Sequence, residues 1–144
     1  ATGGEPIAQK RCLILLQRLC DAGFEASLET SGALDIGGVD PRVSRVVDVK
    51  TPGSAEVHRN RWENIPLLTP RDEVKFVICS REDYEWSRAV VAEHALSTRC
   101  DVLFSPSFGQ VAPRDLAQWI VGGRLPVRFQ LQLHKILWGD EPGR

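Results

Sequence analysis

The sequence has no methionine, not even at position 1, and no strand-like segment precedes its first motif. The chain opens directly on the glycine-rich string Thr2-Gly3-Gly4-Glu5-Pro6, which a strand normally delivers. We therefore expect the chain to be the C-terminal part of a longer protein. Its 144 residues fit a single domain over 1–144, which is long enough to bury a core of its own.

C-x-x-C pairs and interleaved histidines are also missing. The four cysteines, Cys12, Cys20, Cys79 and Cys100, lie far apart in apolar segments. An iron–sulfur cluster needs three or four converging thiolates, which usually come from a tight run. The sequence therefore predicts no cluster site within the chain, and buried, reduced cysteines as in a cytoplasmic protein.

Long apolar runs, a signal-peptide pattern and an excess of positive charge are absent as well. No segment is long and apolar enough to cross a bilayer, and the net charge is −1. General binding to nucleic acid or to a membrane surface needs a basic excess. We expect a soluble, cytoplasmic protein that contacts neither nucleic acid nor membrane directly.

The opening string suits a ligand that carries a free amino group. Two consecutive glycines leave the backbone bare, so that its polar groups can approach a ligand closely. The Glu5 carboxylate adds an acceptor, Thr2 adds a hydroxyl, and Pro6 sets the entry into the following helix. The same string could instead be a turn that only leads into that helix.

Hydrophobic periodicity predicts an α/β fold with a parallel sheet. Helical spacing covers 7–22, 82–96 and 114–121, with Gly23 ending the first helix. Strand-like segments are 24–29, 46–50, 73–79, 101–105 and 127–134, and 51–61 is a polar loop. Strands that alternate with helices are typical of βα units.

Several predicted strands alternate between an apolar and a polar row. Helices cover the apolar row, so the polar rows predict one shared wet face, as an open, partial barrel would provide. Ligand-binding groups of βα folds gather at the carboxyl ends of the strands. Those ends carry Glu29 with Thr30 and Ser31, Asp48 with Lys50, Ser80, Ser105 with Ser107, and Gln132 with His134. Simple exposure on an edge strand is the alternative for each strand.

Four segments in this order resemble the 7-carboxy-7-deazaguanine synthase family of the radical S-adenosylmethionine (SAM) enzymes. They are 2–6 (TGGEP), 29–32 (ETSG), 48–53 (DVKTPG) and 132–135 (QLHK). The resemblance implies alternating βα units that form part of an incomplete (β/α) barrel of the radical SAM type. It also implies a homodimeric lyase of queuosine biosynthesis. That lyase converts 6-carboxy-5,6,7,8-tetrahydropterin to 7-carboxy-7-deazaguanine with release of ammonia.

The resemblance also assigns residues. For SAM it implies Gly3, Gly4, Glu5, Glu29, Ser31, Asp48, Val49, Lys50, Ser105, Pro106, Ser107 and Phe108. For the pterin substrate it implies Thr2, and the position of Gln132 and His134 at the end of the last predicted strand assigns them to the same ligand. The family's [4Fe-4S] cysteines and Mg²⁺ ligand would lie upstream of Ala1, and an electron donor such as flavodoxin would be a partner. No catalytic side chain or metal ligand is assigned within the chain itself.

Two other functions are compatible with the opening motif. A radical SAM activase would act on a glycine of a partner protein, and a non-catalytic βα module would bind a cofactor without chemistry. A cysteine triplet upstream of Ala1 would favour the two enzymes over the binding module.

Anaerobic reconstitution tests the distribution of the cysteines. We expect the isolated chain, incubated with iron and sulfide, to form no stable [4Fe-4S] cluster because its thiols do not converge. A stoichiometric brown product with a paramagnetic signal after reduction would contradict this expectation.

Overall fold

The computed structural model of the chain describes residues 1–139 and contains one five-stranded sheet. The strands lie side by side in sequence order, and every neighbouring pair is parallel. They are β1 (Ser27–Thr30), β2 (Ser44–Val49), β3 (Glu73–Ile78), β4 (Asp101–Pro106) and β5 (Arg128–Phe129). Sequential parallel order is that of (β/α) barrels. The predicted α/β class and parallel sheet are confirmed.

The described residues contain four α-helices, but helices do not separate every pair of strands. They are α1 (Lys10–Asp21), α2 (Arg81–Glu93), α3 (Pro113–Gly122) and α4 (Leu133–Trp138). Only α2 and α3 connect successive strands, β3 to β4 and β4 to β5. The connection from β2 to β3 has short 3₁₀ turns instead, at Pro52–Ser54, Val57–Arg59 and Trp62–Leu67.

Local signals in the sequence set the helix ends. The Ser80 hydroxyl accepts a hydrogen bond from the Asp83 backbone N–H at 3.1 Å, which caps the start of α2. Pro113 occupies the first position of α3, where its missing N–H is not needed. Gly23 follows α1 with φ of +85°, as predicted for the residue that ends this helix.

One face of the sheet forms the core. Leu28, Val74, Phe76 and Phe104 are fully buried there and belong to a single apolar cluster with Leu16 of α1. The same cluster includes apolar side chains of α2 and α3. Burial of this apolar area is the main stabilising contribution to such a fold. The helices therefore cover the apolar rows of the strands, as the alternation predicts.

The opposite face of β1 to β3 is polar and partly exposed. Glu29, Asp48, Glu73 and Lys75 lie there, alternating with the buried residues of their strands. This row confirms the predicted wet face over three strands. In β4, residues of both faces are buried, Ser105 among them.

The strand predicted at 127–134 is wrong for most of its length. β5 contains only Arg128 and Phe129, and α4 begins at Leu133. The ladder between β4 and β5 continues to the bond from the Gln130 N–H to the Phe104 carbonyl oxygen at 3.0 Å. The next ladder bond would need an N–H on residue 106, and Pro106 has none. The alternating polar row of this segment therefore does not become a strand face.

Among residues 1–139, no helix has the length and apolar character that crossing a membrane requires.

A buried ion pair stabilises the end of the sheet at which the strands begin. The Asp72 carboxylate accepts hydrogen bonds from the Arg45 guanidinium, at 2.6 Å and 3.0 Å, and from the Arg45 and Thr69 backbone N–H groups. Asp72 is 1% exposed and Arg45 is 7% exposed. Burial raises the pKa of the Asp72 carboxyl, but the hydrogen bonds from Arg45 and Thr69 outweigh it and hold this pKa below its usual value.

Asp72→Asn tests this ion pair. We expect the free energy of unfolding to fall by about 3 kcal/mol, because removal of one partner leaves the Arg45 charge buried and uncompensated. Urea denaturation followed by tryptophan fluorescence measures the change. Asp21→Asn is the control, since the Asp21–Arg42 ion pair is exposed and exposed pairs contribute little to stability. Equal losses in the two variants would contradict the expectation.

Candidate functional site

The glycines of the N-terminal loop present bare backbone to open space. Gly3 and Gly4 have φ of +96° and +61°, and a Cβ added at either position would meet nothing within 4 Å. Hydrogen bonds join the start of the loop to β1: the Ala1 nitrogen donates to the Ser27 carbonyl oxygen, and the Glu29 N–H donates to the Ala1 carbonyl oxygen. The Thr2 hydroxyl donates to the Glu29 carboxylate at 2.9 Å. The bare glycine backbone thus lies beside the carboxyl end of β1.

The Glu5 carboxylate holds this loop in place. It accepts hydrogen bonds from the Thr30 hydroxyl and the Ser31 backbone N–H, each at 2.8 Å, and a short one from the Ser31 hydroxyl. Burial raises the pKa of the Glu5 carboxyl, but these hydrogen bonds outweigh it, so that the pKa lies below its usual value. Direct contact between Glu5 and a ligand ammonium stays a prediction.

A second segment that contributes to the site follows β2. The Lys50 ammonium forms an ion pair with the Asp48 carboxylate at 2.5 Å. Both backbone polar groups of Lys50 are hydrogen-bonded at 2.8 Å to the Asn60 side-chain amide, which fixes this position. The second Asp48 oxygen, Oδ1, is buried and has no hydrogen-bond partner among the described residues. Such an acceptor is costly to bury unless a donor reaches it.

The N-terminal loop and the segment that contains Asp48 and Lys50 enclose one cavity at the carboxyl edge of the sheet. Its volume is about 250 Å³, and it is lined by Thr2, Gly3, Gly4, Glu29, Thr30, Ser31, Asp48 and Lys50. All of these except Thr30 are residues that the sequence assigns to SAM or substrate. The Val49 side chain is buried in the core instead, so that only its backbone could face a ligand.

A second cavity, of about 370 Å³, lies between the segment that follows β4 and the start of α4. It brings Pro106, Ser107 and Phe108 together with Gln132, although 24 positions separate Phe108 from Gln132. Most of the other lining side chains are apolar, including Val111, Leu131 and Ile136, but Gln110 and Lys135 line the cavity as well. A mostly apolar lining with a few polar side chains suits a heterocyclic ring.

Four residues of the predicted set lie outside these linings: Glu5 and Val49, described above, and His134 and Ser105. His134 is exposed on α4, and the predicted strand face that would pair it with Gln132 does not exist. Ser105 is fully buried in β4, and its hydroxyl has no hydrogen-bond partner among residues 1–139.

Thr30, which the sequence places at a strand end without assigning it to a ligand, lines the first cavity. Sequence reasoning missed two side chains near this cavity. Asn60 fixes Lys50, and Lys75 forms an ion pair with Glu29 at 3.5 Å. Asn60 and Lys75 act across the fold, and no local pattern marks them.

Residues 1–139 contain no group of three or more His, Cys, Asp or Glu side chains placed to hold a metal ion. All four cysteines are free. Burial raises the pKa of the Cys100 thiol to about 11 and raises that of the Cys79 thiol as well. The thiolate is the form that binds a metal, so the described residues do not fit a [4Fe-4S] cluster.

Comparison with known proteins confirms the resemblance that the motifs indicate, although no protein-family model matches the chain. The chain is 43% identical over 143 residues to the 7-carboxy-7-deazaguanine synthase of Chlorobaculum tepidum, covering 97% of this chain and 65% of that protein. It is 41% identical over 154 residues to the enzyme of the same name from Koribacter versatilis, covering 97% of this chain and 68% of that protein. The corresponding protein of Methanospirillum hungatei is 36% identical over 140 residues, which cover 94% of this chain and 56% of that protein.

The chain therefore spans roughly two thirds or less of the length of these relatives. The similarity nevertheless extends over almost all of its own residues. The chain belongs to the 7-carboxy-7-deazaguanine synthase family.

Proposed function

We propose that this chain, at the full length of its relatives, is a radical SAM lyase of queuosine biosynthesis. It converts 6-carboxy-5,6,7,8-tetrahydropterin to 7-carboxy-7-deazaguanine with release of ammonia. The names of the relatives support the product, and the two cavities at the carboxyl edge of the sheet support binding of two small molecules.

The observation that carries the proposal is the placement of bare backbone beside the Asp48–Lys50 pair in the first cavity. The Gly3–Gly4 backbone and the Asp48 carboxylate supply acceptors, and Lys50 supplies a cation. The methionine part of SAM carries an ammonium and a carboxylate, which match these groups in sign. Charge-assisted hydrogen bonds of this kind are among the stronger polar contacts in proteins.

The second cavity fits the heterocyclic parts of the ligands. Pro106, Ser107 and Phe108 are proposed to contact SAM, and the Gln132 amide to contact the pterin. A glutamine amide has a donor and an acceptor side by side, which match the amide and amino edges of a pterin. Thr2 is proposed to contact the pterin from the first cavity, where its hydroxyl already binds Glu29.

The cofactors supply the reactive groups, and the residues of this chain bind, orient and shield them. When bound, SAM together with a [4Fe-4S] cluster would supply the hydrogen abstraction that begins the reaction. The cysteine ligands of the cluster and the Mg²⁺ ligand are proposed to lie outside this chain. We further propose a cytoplasmic homodimer that receives electrons from a donor such as flavodoxin and contacts neither nucleic acid nor membrane directly.

Asp48→Asn in the full-length protein tests the SAM site. Loss of a charged acceptor costs about 1.5–3 kcal/mol, so we expect the Kd for SAM to rise roughly ten- to a hundredfold. Calorimetric titration with SAM measures this change. Asp101→Asn is the matched control, because Asp101 also pairs with a cation beside the sheet but lies at its opposite end. An unchanged Kd in Asp48→Asn would contradict the proposed site.

Gln132→Leu tests the contact with the pterin. We expect kcat/KM for the carboxypterin to fall about tenfold or more, because polar edges of the substrate are left unpaired. SAM cleavage without substrate should persist, since the amide is assigned to the other ligand. Gln130→Leu is the control, because Gln130 is exposed and does not line the cavity. Equal loss of both activities would mean that Gln132 is structural.

A further inference from the structure

Asp83 is a buried carboxylate near the site that neither the motifs nor the proposed contacts use. It lies in the first turn of α2 and is 1% exposed. Its oxygens accept hydrogen bonds from the Thr51 hydroxyl at 2.9 Å, the Gly53 N–H at 2.9 Å and the Cys79 N–H at 3.1 Å. Asp83 thus joins α2 to two segments that are distant from each other in sequence.

Both segments belong to the edge of the sheet that carries the cavities. Thr51 directly follows Lys50, which lines the first cavity. Cys79 follows β3, whose last residue, Ile78, accepts a hydrogen bond from the Ser107 N–H at 2.8 Å. Ser107 lines the second cavity. Through three hydrogen bonds, Asp83 therefore connects the segment that contains Asp48 and Lys50 to β3, the strand beside the second cavity.

The packing around Gly53 shows how closely this loop is held. A Cβ on residue 53 would lie 2.5 Å from an Asp83 oxygen and 3.0 Å from the Cys79 Cβ. No side chain fits in that space, so only glycine allows the loop to reach the carboxylate. The loop geometry is therefore set by contact with Asp83 from outside the cavity.

We propose that Asp83 is a positioning residue, which holds the loop from Lys50 to Gly53 so that Asp48 and Lys50 are in place for SAM. The inference rests on the proposed function for its ligand. Asp83 does not line either cavity and touches no assigned ligand contact directly. Its effect on binding passes through Thr51 and Gly53.

Asp83→Asn in the full-length protein is the first variant. An asparagine keeps one acceptor oxygen, but its NH₂ group would face backbone N–H donors. We expect the Kd for SAM to rise about tenfold or more. We also expect faster amide hydrogen exchange in the peptide 48–56. Thr51→Val removes a single donor to Asp83, and we expect a smaller rise in Kd, about fivefold, without loss of folding.

The chain offers a matched control at the other end of the sheet. Asp72 is equally buried and also accepts several hydrogen bonds, one of them from the Thr69 hydroxyl at 2.9 Å. Asp72→Asn and Thr69→Val therefore remove comparable interactions far from the cavities. We expect these two variants to lower the free energy of unfolding but to leave the Kd for SAM within about twofold.

The outcomes separate a positioning role from a structural one. Higher Kd and faster exchange at 48–56 only in the Asp83 and Thr51 variants would support the proposal. An unchanged Kd in folded Thr51→Val and Asp83→Asn, or an equal rise in the Asp72 and Thr69 variants, would overturn it. Failure of the unmodified protein to bind SAM would refute the proposed function. In that case the exchange rates at 48–56 alone would decide whether Asp83 positions the loop.

Discussion

The shared direction of the five strands is the constraint on which the rest of the structure depends. Every strand ends at the same edge of the sheet, so the segments that follow β1, β2 and β4 all start there. Segments separated by more than fifty positions, such as 29–31 and 105–108, therefore meet at one edge. The polar ends of the strands therefore gather at the edge where both cavities lie, because ligand-binding groups of βα folds follow the carboxyl ends of the strands.

The open face of the sheet keeps its polar row by pairing charges across strands. Glu29 of β1 pairs with Lys75 of β3, and Glu73 of β3 pairs with Arg128 of β5. Such exposed pairs contribute little individually. They nevertheless neutralise the row, so that this face can line a wet cavity without a large unbalanced charge. The Asp48 Oδ1 oxygen, which is buried and has no partner among residues 1–139, is the exception in this row.

Much of the fold could be predicted from the sequence, because alternation and helical spacing are local signals. The buried positions of β1, β2 and β3 follow the alternation closely. The same rule failed at 127–134, where a strand also needs partners on its neighbour and Pro106 removes one. The motifs indicated most of the lining of the first cavity. Asp83 could not be predicted, since its hydrogen bonds to Thr51 and Gly53 join residues 30 or more positions apart.

The glycines and the carboxylate of the opening motif have different roles. A carboxylate beside bare backbone looks like a direct ligand for an ammonium. In the fold, however, Glu5 holds Thr30 and Ser31, and this binding keeps its charge close to the end of β1. Protonation of Glu5 would remove acceptors that four donors use. Because its pKa is lowered on folding, the stability it adds is present above the pKa of the unfolded chain and is lost as the pH falls through the folded value. At neutral pH the carboxylate therefore keeps the glycine backbone in place, and the glycines remain free to meet the ligand.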